Sequence, residues 1–223
     1  MAKAKRAERR TAMKIALIGA SGFVGSAVLK EAASRGNKVT AINRNPAKVE
    51  KLDGVTAVKA DVTDVAALTA AIADADVVVS AFNGGWGDPE IYAKHSAGSK
   101  AIVEAAKAAG KRVIIVGGAG SLEIDGKQLV DGPHFPEAYK DGARAARDAL
   151  AALRTETGLE WSFISPAIMM APGVRTGKFR IGGEQPVFDA KGESHISVED
   201  LAVAIVDEAE TPKHAGKRFT VGY

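Results

Sequence analysis

KIALIGASGFVGSAVLKEAASRGNKVTAINR, residues 14–44, decides the fold. Lys14–Ile18 is apolar without alternation, the pattern of a strand buried on both faces. Gly19, Gly22 and Gly25 follow at three-residue spacing, and then Val24, Ala27, Val28 and Ala32 mark a helical face that stops at Gly36. Lys38–Ile42 is a second strand. Strand, glycine turn, helix and strand within about 30 residues make a βαβ unit that can hold a dinucleotide. The first glycine permits the sharp turn, the second lets the chain approach a diphosphate, and the third lets the helix lie close on the strand. Free amides and the positive end of the helix dipole then face the phosphates. The turn residues expected to receive them are Gly19, Ser21, Gly22, Phe23, Val24 and Gly25.

The end of the second strand selects the nucleotide. An acidic side chain there would bind the adenosine ribose and repel a 2′-phosphate. Here stand Asn43 and Arg44. A guanidinium matches phosphate geometry in a two-pronged fork, so NADP(H) is expected over NAD(H).

The 223 residues suffice for one α/β domain with a sizeable core. There are no cysteines, which removes disulfides and thiolate metal or redox chemistry. No apolar run reaches about 18 residues, and no apolar leader opens the chain, so a cytoplasmic protein that does not enter the membrane is expected. The net charge of +3 is concentrated at the start: residues 1–12 carry Lys3, Lys5, Arg6, Arg9 and Arg10 against Glu8. That segment is expected to be a disordered basic tail. The body, residues 13–223, is close to neutral and has no nucleic-acid footprint.

Further along, Val49–Leu52 is expected to form a short helical piece and Val55–Ala60 a third strand. Thr63-Asp64 can cap a helix through Leu68 and Ile72. Asp76–Phe82 (DVVVSAF) is a fourth, β-branched strand, and Ser80 and Ala81 at its end should face the cofactor, since ligands of doubly wound sheets lie beyond the strands' carboxyl ends. Asn83–Gly87 contains Trp86, placed to cover the nicotinamide, to line the substrate pocket, or simply to pack on its loop. A long helix over 89–109 precedes a fifth strand, Arg112–Val116, whose end carries Gly117 and Ser121. The segment up to Pro136 reads as irregular, and the helix Glu137–Thr157 leads to a sixth strand, Trp161–Ile164, with Pro166 on the ligand side. Residues 166–198 are expected to build a small substrate lobe, with strands near Arg180 and over Pro186–Ala190. Ser194–Val198 reads as a strand, Ser197 as the cap of a helix Glu199–Glu210, and Arg218–Val221 as a last strand. The expected architecture is α/β: a doubly wound parallel sheet with a small C-terminal substrate lobe.

GASGFVG, the ADV of residues 60–62, VVVSAF, VGGAGSLE, FISPA and SHISVEDLAVAIVDEAE together resemble the small atypical short-chain dehydrogenases. That group includes Rossmann-fold proteins labelled NAD-dependent epimerase/dehydratase-like or NmrA-like, with flavin and biliverdin reductases as relatives. The resemblance spans residues 13–223. It implies that Asp61 and Val62 sit beside the adenine and that Ser121 holds the place of the group's catalytic Ser or Thr. Classical and extended short-chain dehydrogenases use Tyr-x-x-x-Lys, in which the ammonium lowers the phenol's pKa and binds ribose. Here Tyr139 is followed four residues later by Ala143; Lys140 is adjacent, and Arg144 lies about 140° further round a regular helix. Ser121 and Tyr139 are thus the catalytic candidates, without the usual lysine, and Arg144 is a candidate ribose or phosphate ligand.

Hydride transfer without a dedicated acid suits planar acceptors that take their proton from water. The leading expectation is an NAD(P)H-dependent oxidoreductase acting on a flavin, quinone or similar small molecule, as a monomer or homodimer. The rivals are an NADP(H)-binding redox sensor without turnover and, behind it, a sugar-nucleotide epimerase or dehydratase. His95, His134, His195 and His214 show no metal-ligand spacing, and Ser121 lacks a Gly-x-Ser-x-Gly elbow, so neither a metal site nor a hydrolase is expected.

Overall fold

The computed structural model describes residues 12–223, so the basic tail lies outside the described residues except for Ala12. In chain order the elements are β1 (Lys14–Ile18), α1 (Phe23–Ser34), β2 (Lys38–Asn43), β3 (Val55–Lys59), α2 (Val65–Ile72), β4 (Val77–Ser80), α3 (Ile91–Ala108) and β5 (Arg112–Val116). They continue with β6 (Glu123–Ile124), β7 (Lys127–Gln128), α4 (Glu137–Arg154), β8 (Trp161–Ser165), β9 (Met169–Ala171), β10 (Arg180–Gly182), β11 (His195–Ser197), α5 (Val198–Glu210) and β12 (Lys217–Gly222).

The main sheet has eight strands in the order β10-β12-β8-β5-β4-β1-β2-β3. All neighbours are parallel except β10 and β12. The order reverses at β1, which pairs with β2 on one side and β4 on the other, with Ile18 opposite both Ile42 and Ser80. A crevice at the strands' carboxyl ends therefore opens at β1 and β4.

The two faces of β1 explain its unbroken apolar sequence. Ile15 and Leu17 join α1 and α5 in one core, with Val28, Leu29, Leu201 and Ile205. Ala16 and Ile18 join α2, α3 and α4 in the other, with Leu68, Ile102 and Leu150. Side chains alternate across a strand, so a strand covered on both faces must be apolar at every position. Among the described residues no helix is long and apolar enough to cross a membrane.

Three expectations need correction. Pro186–Ala190 is not a strand; β10 lies earlier and pairs antiparallel with β12, while Val187 packs beneath Gly222. Pro186 has no N–H to give to a ladder. Val49–Leu52 is not helical: the helical turn is a short 3-10 piece at Pro46–Lys48, where the Asn45 side chain accepts from the Ala47 amide at 3.2 Å. The segment before α4 is not wholly irregular, since β6 and β7 form a hairpin around Asp125-Gly126, with φ of 51° and 75°.

Candidate functional site: a dinucleotide crevice

The glycine turn joins β1 to α1 with little room for side chains. Gly19 has φ +80°, and a Cβ there would stand 2.7 Å from the Ala81 carbonyl oxygen. A Cβ on Gly25 would stand 2.0 Å from the Gly19 carbonyl oxygen. The first glycine thus turns the chain and the third lets α1 close on it. Gly22 is different: it is extended (φ −77°, ψ 174°) and exposed, and a Cβ would approach only the Gly19 oxygen, at 3.3 Å. It is the N-cap of α1 and provides no side-chain cap, and the first turn holds no acidic residue. Gly22 N–H donates to Gly19 and Ser26 N–H to Gly22, while the amides of Phe23 and Val24 have no acceptor among the described residues. Uncapped amides at a helix start form an anion seat. This bare cradle fits a dinucleotide diphosphate.

The residues expected on the adenosine side lie at the ends of β2 and β3. Asn43 Nδ2 donates to Ser21 Oγ at 2.6 Å, and Asn43 Oδ1 accepts from the Asn45 amide at 2.8 Å, so Asn43 ties the glycine turn to the next loop. Arg44 is exposed. Asp61 accepts from the Thr63 amide at 2.9 Å and its hydroxyl at 2.7 Å. The Thr63 amide and hydroxyl, with a smaller contribution from the nearby Arg44 charge, hold the Asp61 carboxyl below its usual range. Val62 is buried behind it, and Asp64, not Asp61, caps α2 by accepting from Ala67 N at 3.0 Å.

The residues expected beneath the nicotinamide lie at the carboxyl ends of β4, β5 and β8. Ser80 is buried, and its hydroxyl accepts from the Phe82 amide at 3.4 Å; Ala81 N–H donates to Ile18. A Cβ on Gly117 would lie 2.0 Å from the Phe163 ring, so that glycine leaves room for a core aromatic. Pro166 is buried.

The two catalytic candidates have different partners. Ser121 is buried and accepts from Arg218 Nη1 at 3.3 Å, while Arg218, its side chain wholly enclosed, pairs with Glu184. Tyr139 stands exposed in the first turn of α4, its ring edge-to-face with Trp86 at 5.4 Å. Ala143 is buried where a lysine would be needed; Lys140 pairs with Glu137 at 3.1 Å, and Arg144 faces Asp141 at 3.8 Å.

Sequence reading missed a clamp beside α1 and α5. Residues 172–178 are held to α1 and α5 by two carboxylates. Glu31, buried in α1, receives both prongs of Arg175 at 2.6 and 2.7 Å and also Arg35 at 2.7 Å. Burial opposes ionisation of Glu31, but those donors outweigh it and hold the pKa low. Asp200, fully buried in α5, accepts from the amides of Thr176 and Gly177 at 2.9 and 2.7 Å, the Thr176 hydroxyl, and the Tyr223 hydroxyl at 2.7 Å. Only the Ser197–Asp200 half of this arrangement was legible, as the helix cap: Ser197 Oγ accepts from Asp200 N at 3.0 Å.

Three of the histidines have packing or hydrogen-bond neighbours in the structure. His95 is buried against Phe82, His214 binds Glu208 at 2.8 Å, and His195 lies 3.3 Å from Asp189. Donor atoms of Asp189, Glu193 and His195 lie within 4.8 Å of one another, but Asp189 already accepts the Lys191 and Glu193 amides at 2.8 and 2.9 Å, closing its own loop.

A family model described as NAD(P)H-binding matches residues 19–212. The uncharacterized protein YwnB of Bacillus subtilis is 40% identical over 213 residues, covering 94% of this chain and 98% of that one. Among solved structures, a provisionally assigned epimerase from Bacteroides thetaiotaomicron is 44% identical, with a TM-score of 0.89 over 96% of this chain and 98% of that one. A provisionally assigned NADH-flavin reductase from Streptococcus pneumoniae is 36% identical, with a TM-score of 0.84 over 94% and 99%. The glycine cradle, the strand reversal and these likenesses agree: the chain belongs to the NAD(P)H-binding family of Rossmann-fold, oxidoreductase-like proteins.

Proposed function

We propose that this protein is a cytoplasmic NAD(P)H-dependent reductase of a flavin, quinone or similar planar acceptor, with NADP(H) preferred. The observation that carries the reading is the buried Ala143 four residues after Tyr139 in α4. A crevice fitted for a dinucleotide lacks the ammonium that would make Tyr139 a proton donor, which favours substrates that need none. Bound NAD(P)H supplies a hydride, leaving as NAD(P)+, and the acceptor's balancing proton comes from solvent. The chain's part is binding and orientation. The Phe23 and Val24 amides would hold the diphosphate, Arg44 would take the 2′-phosphate, Asp61 and Val62 would border the adenine, and Ser80, Ala81, Gly117 and Pro166 would form the floor beneath the ring. The assigned NADH-flavin reductase among the structural neighbours supports the acceptor class.

The test is NADPH and NADH oxidation against FMN, FAD and a panel of quinones, with cofactor binding measured in parallel. Turnover with a flavin or quinone supports the proposal. Tight binding without turnover on any acceptor replaces it with the redox-sensor reading. Loss of turnover in Tyr139→Phe overturns the solvent-proton step.

A further inference from the structure

We infer that Trp86 is the residue that holds and selects the acceptor ring; this rests on the reductase reading above. Trp86 is 58% exposed, unusual for the largest apolar side chain in a folded protein, yet it is firmly seated. The seat is Gly142, in the body of α4, where glycine is destabilising relative to alanine. A Cβ on Gly142 would stand 2.7 Å from Trp86 Cζ3 and 2.9 Å from Ile91 Cδ1, so only glycine admits the indole. Tyr139, one turn earlier, supports the indole edge-to-face at 5.4 Å.

The loop that carries Trp86 is equally constrained. Gly85 and Gly87 bracket it at φ 110° and 83°. Gly85 N–H donates to Asn83 Oδ1 at 2.8 Å, Asp88 N–H returns to the Gly85 carbonyl at 3.1 Å, and Lys94 pins Asp88 at 2.6 Å. This loop leaves β4 at the point where strand order reverses, and Gly142 adjoins Ala143, which packs on Gly120 beyond β5. Trp86 therefore stands at the crevice mouth between the β4 and β5 loops.

A fixed aromatic plate, already ordered and still presenting much of its surface, gives a planar ring stacking area at small conformational cost. Its one hydrogen-bond donor is the indole Nε1–H, so what it chiefly offers a ligand is ring face. The acceptor class it fits is a fused or substituted aromatic ring, and it discriminates against saturated carbonyl compounds.

The experiment exploits the chain's two tryptophans. Trp161 is buried, so Trp86 supplies the exposed part of the indole emission. NADP+-loaded protein is titrated with FMN and with menadione, following indole quenching in the wild type and calorimetry in Trp86→Ala and Trp86→Phe. Steady-state kinetics accompany both. Quenching in the wild type, a loss of about tenfold or more in acceptor affinity and KM in Trp86→Ala, and rescue by Trp86→Phe are expected, with NADPH affinity holding within about twofold. Equal acceptor affinity in wild type and Trp86→Ala overturns the assignment while leaving the reductase reading intact. Failure of either ring to quench the wild type overturns it directly. Binding that depends on Trp86 without any NADPH oxidation supports the plate and overturns the reductase reading.

Discussion

Gly22→Leu separates cofactor binding from folding. Gly22 is already extended, at φ −77° and ψ 174°, and a Cβ there meets only the Gly19 carbonyl oxygen at 3.3 Å. The longer side chain projects into open space before the first turn of α1. Replacing an N-cap glycine with an apolar residue costs up to about 1 kcal/mol, or about 2–4 °C in Tm for a chain of this size. Binding stands to lose far more. The Phe23 and Val24 amides have no acceptor among the described residues, and hydrogen bonds to a charged group are worth about 1.5–3 kcal/mol each. Displacing a diphosphate from both costs about 3–6 kcal/mol, roughly two to four orders of magnitude in Kd. NADPH fluorescence titration and thermal melts on the same preparation measure the two effects. A Kd within threefold of wild type, with an unchanged melt, refutes the placement of the diphosphate.

Gly25→Ala should behave in the opposite way. Its Cβ would stand 2.0 Å from a backbone oxygen, so the turn must open; a loss of about 3 kcal/mol, or about 6–12 °C in Tm, is expected, and a melt unchanged from wild type refutes the packing role. Arg44→Ala should weaken NADPH about tenfold or more and leave NADH unaffected; equal loss for both nucleotides removes Arg44 from 2′-phosphate recognition. Acid should loosen the Asp200 clamp. Burial works against its ionisation, but Thr176, Gly177 and Tyr223 hold the carboxyl below its usual value. A depressed native pKa contributes stability in full above the unfolded value near 4, and that stability is lost as pH falls through and below it. Denaturant unfolding should therefore weaken from about pH 5 downward, with a flatter profile in Asp200→Asn; an equal slope in the variant contradicts the assignment.

The parts of the fold legible in the sequence are those written in local pattern. β1, the glycine turn, α1 and β2 sit where their periodicity and breaks place them, because one uninterrupted βαβ unit needs no distant information. The reversal between β1 and β4 follows instead from the doubly wound pattern set by the later strand and helix alternation. The region between β8 and α5 is harder to read because its strands, β9 to β11, are three residues long, too short to display a period. The apolar residues of 186–190 looked like a strand, but only Pro186 and Val187 are buried there, and Asp189 bends the chain. The β6–β7 hairpin did carry a signal, Asp125-Gly126, the dipeptide of a tight two-residue turn. The fixed seat of Trp86 and the Glu31 and Asp200 clamps were not legible, since Gly142 lies 56 positions from its indole and Arg175 lies 144 from Glu31.

Glu31 has one further consequence. It sits in the helix whose first amides have no acceptor among the described residues, and it grips Arg175, whose neighbours Thr176 and Gly177 are held by α5. A nucleotide that orders the start of that helix is expected to steady this segment as well, through the Glu31–Arg175 pair. Hydrogen exchange in residues 173–178 should slow when cofactor is added, and cutting the tether with Glu31→Gln should let the segment exchange at one speed whether the nucleotide is present or not.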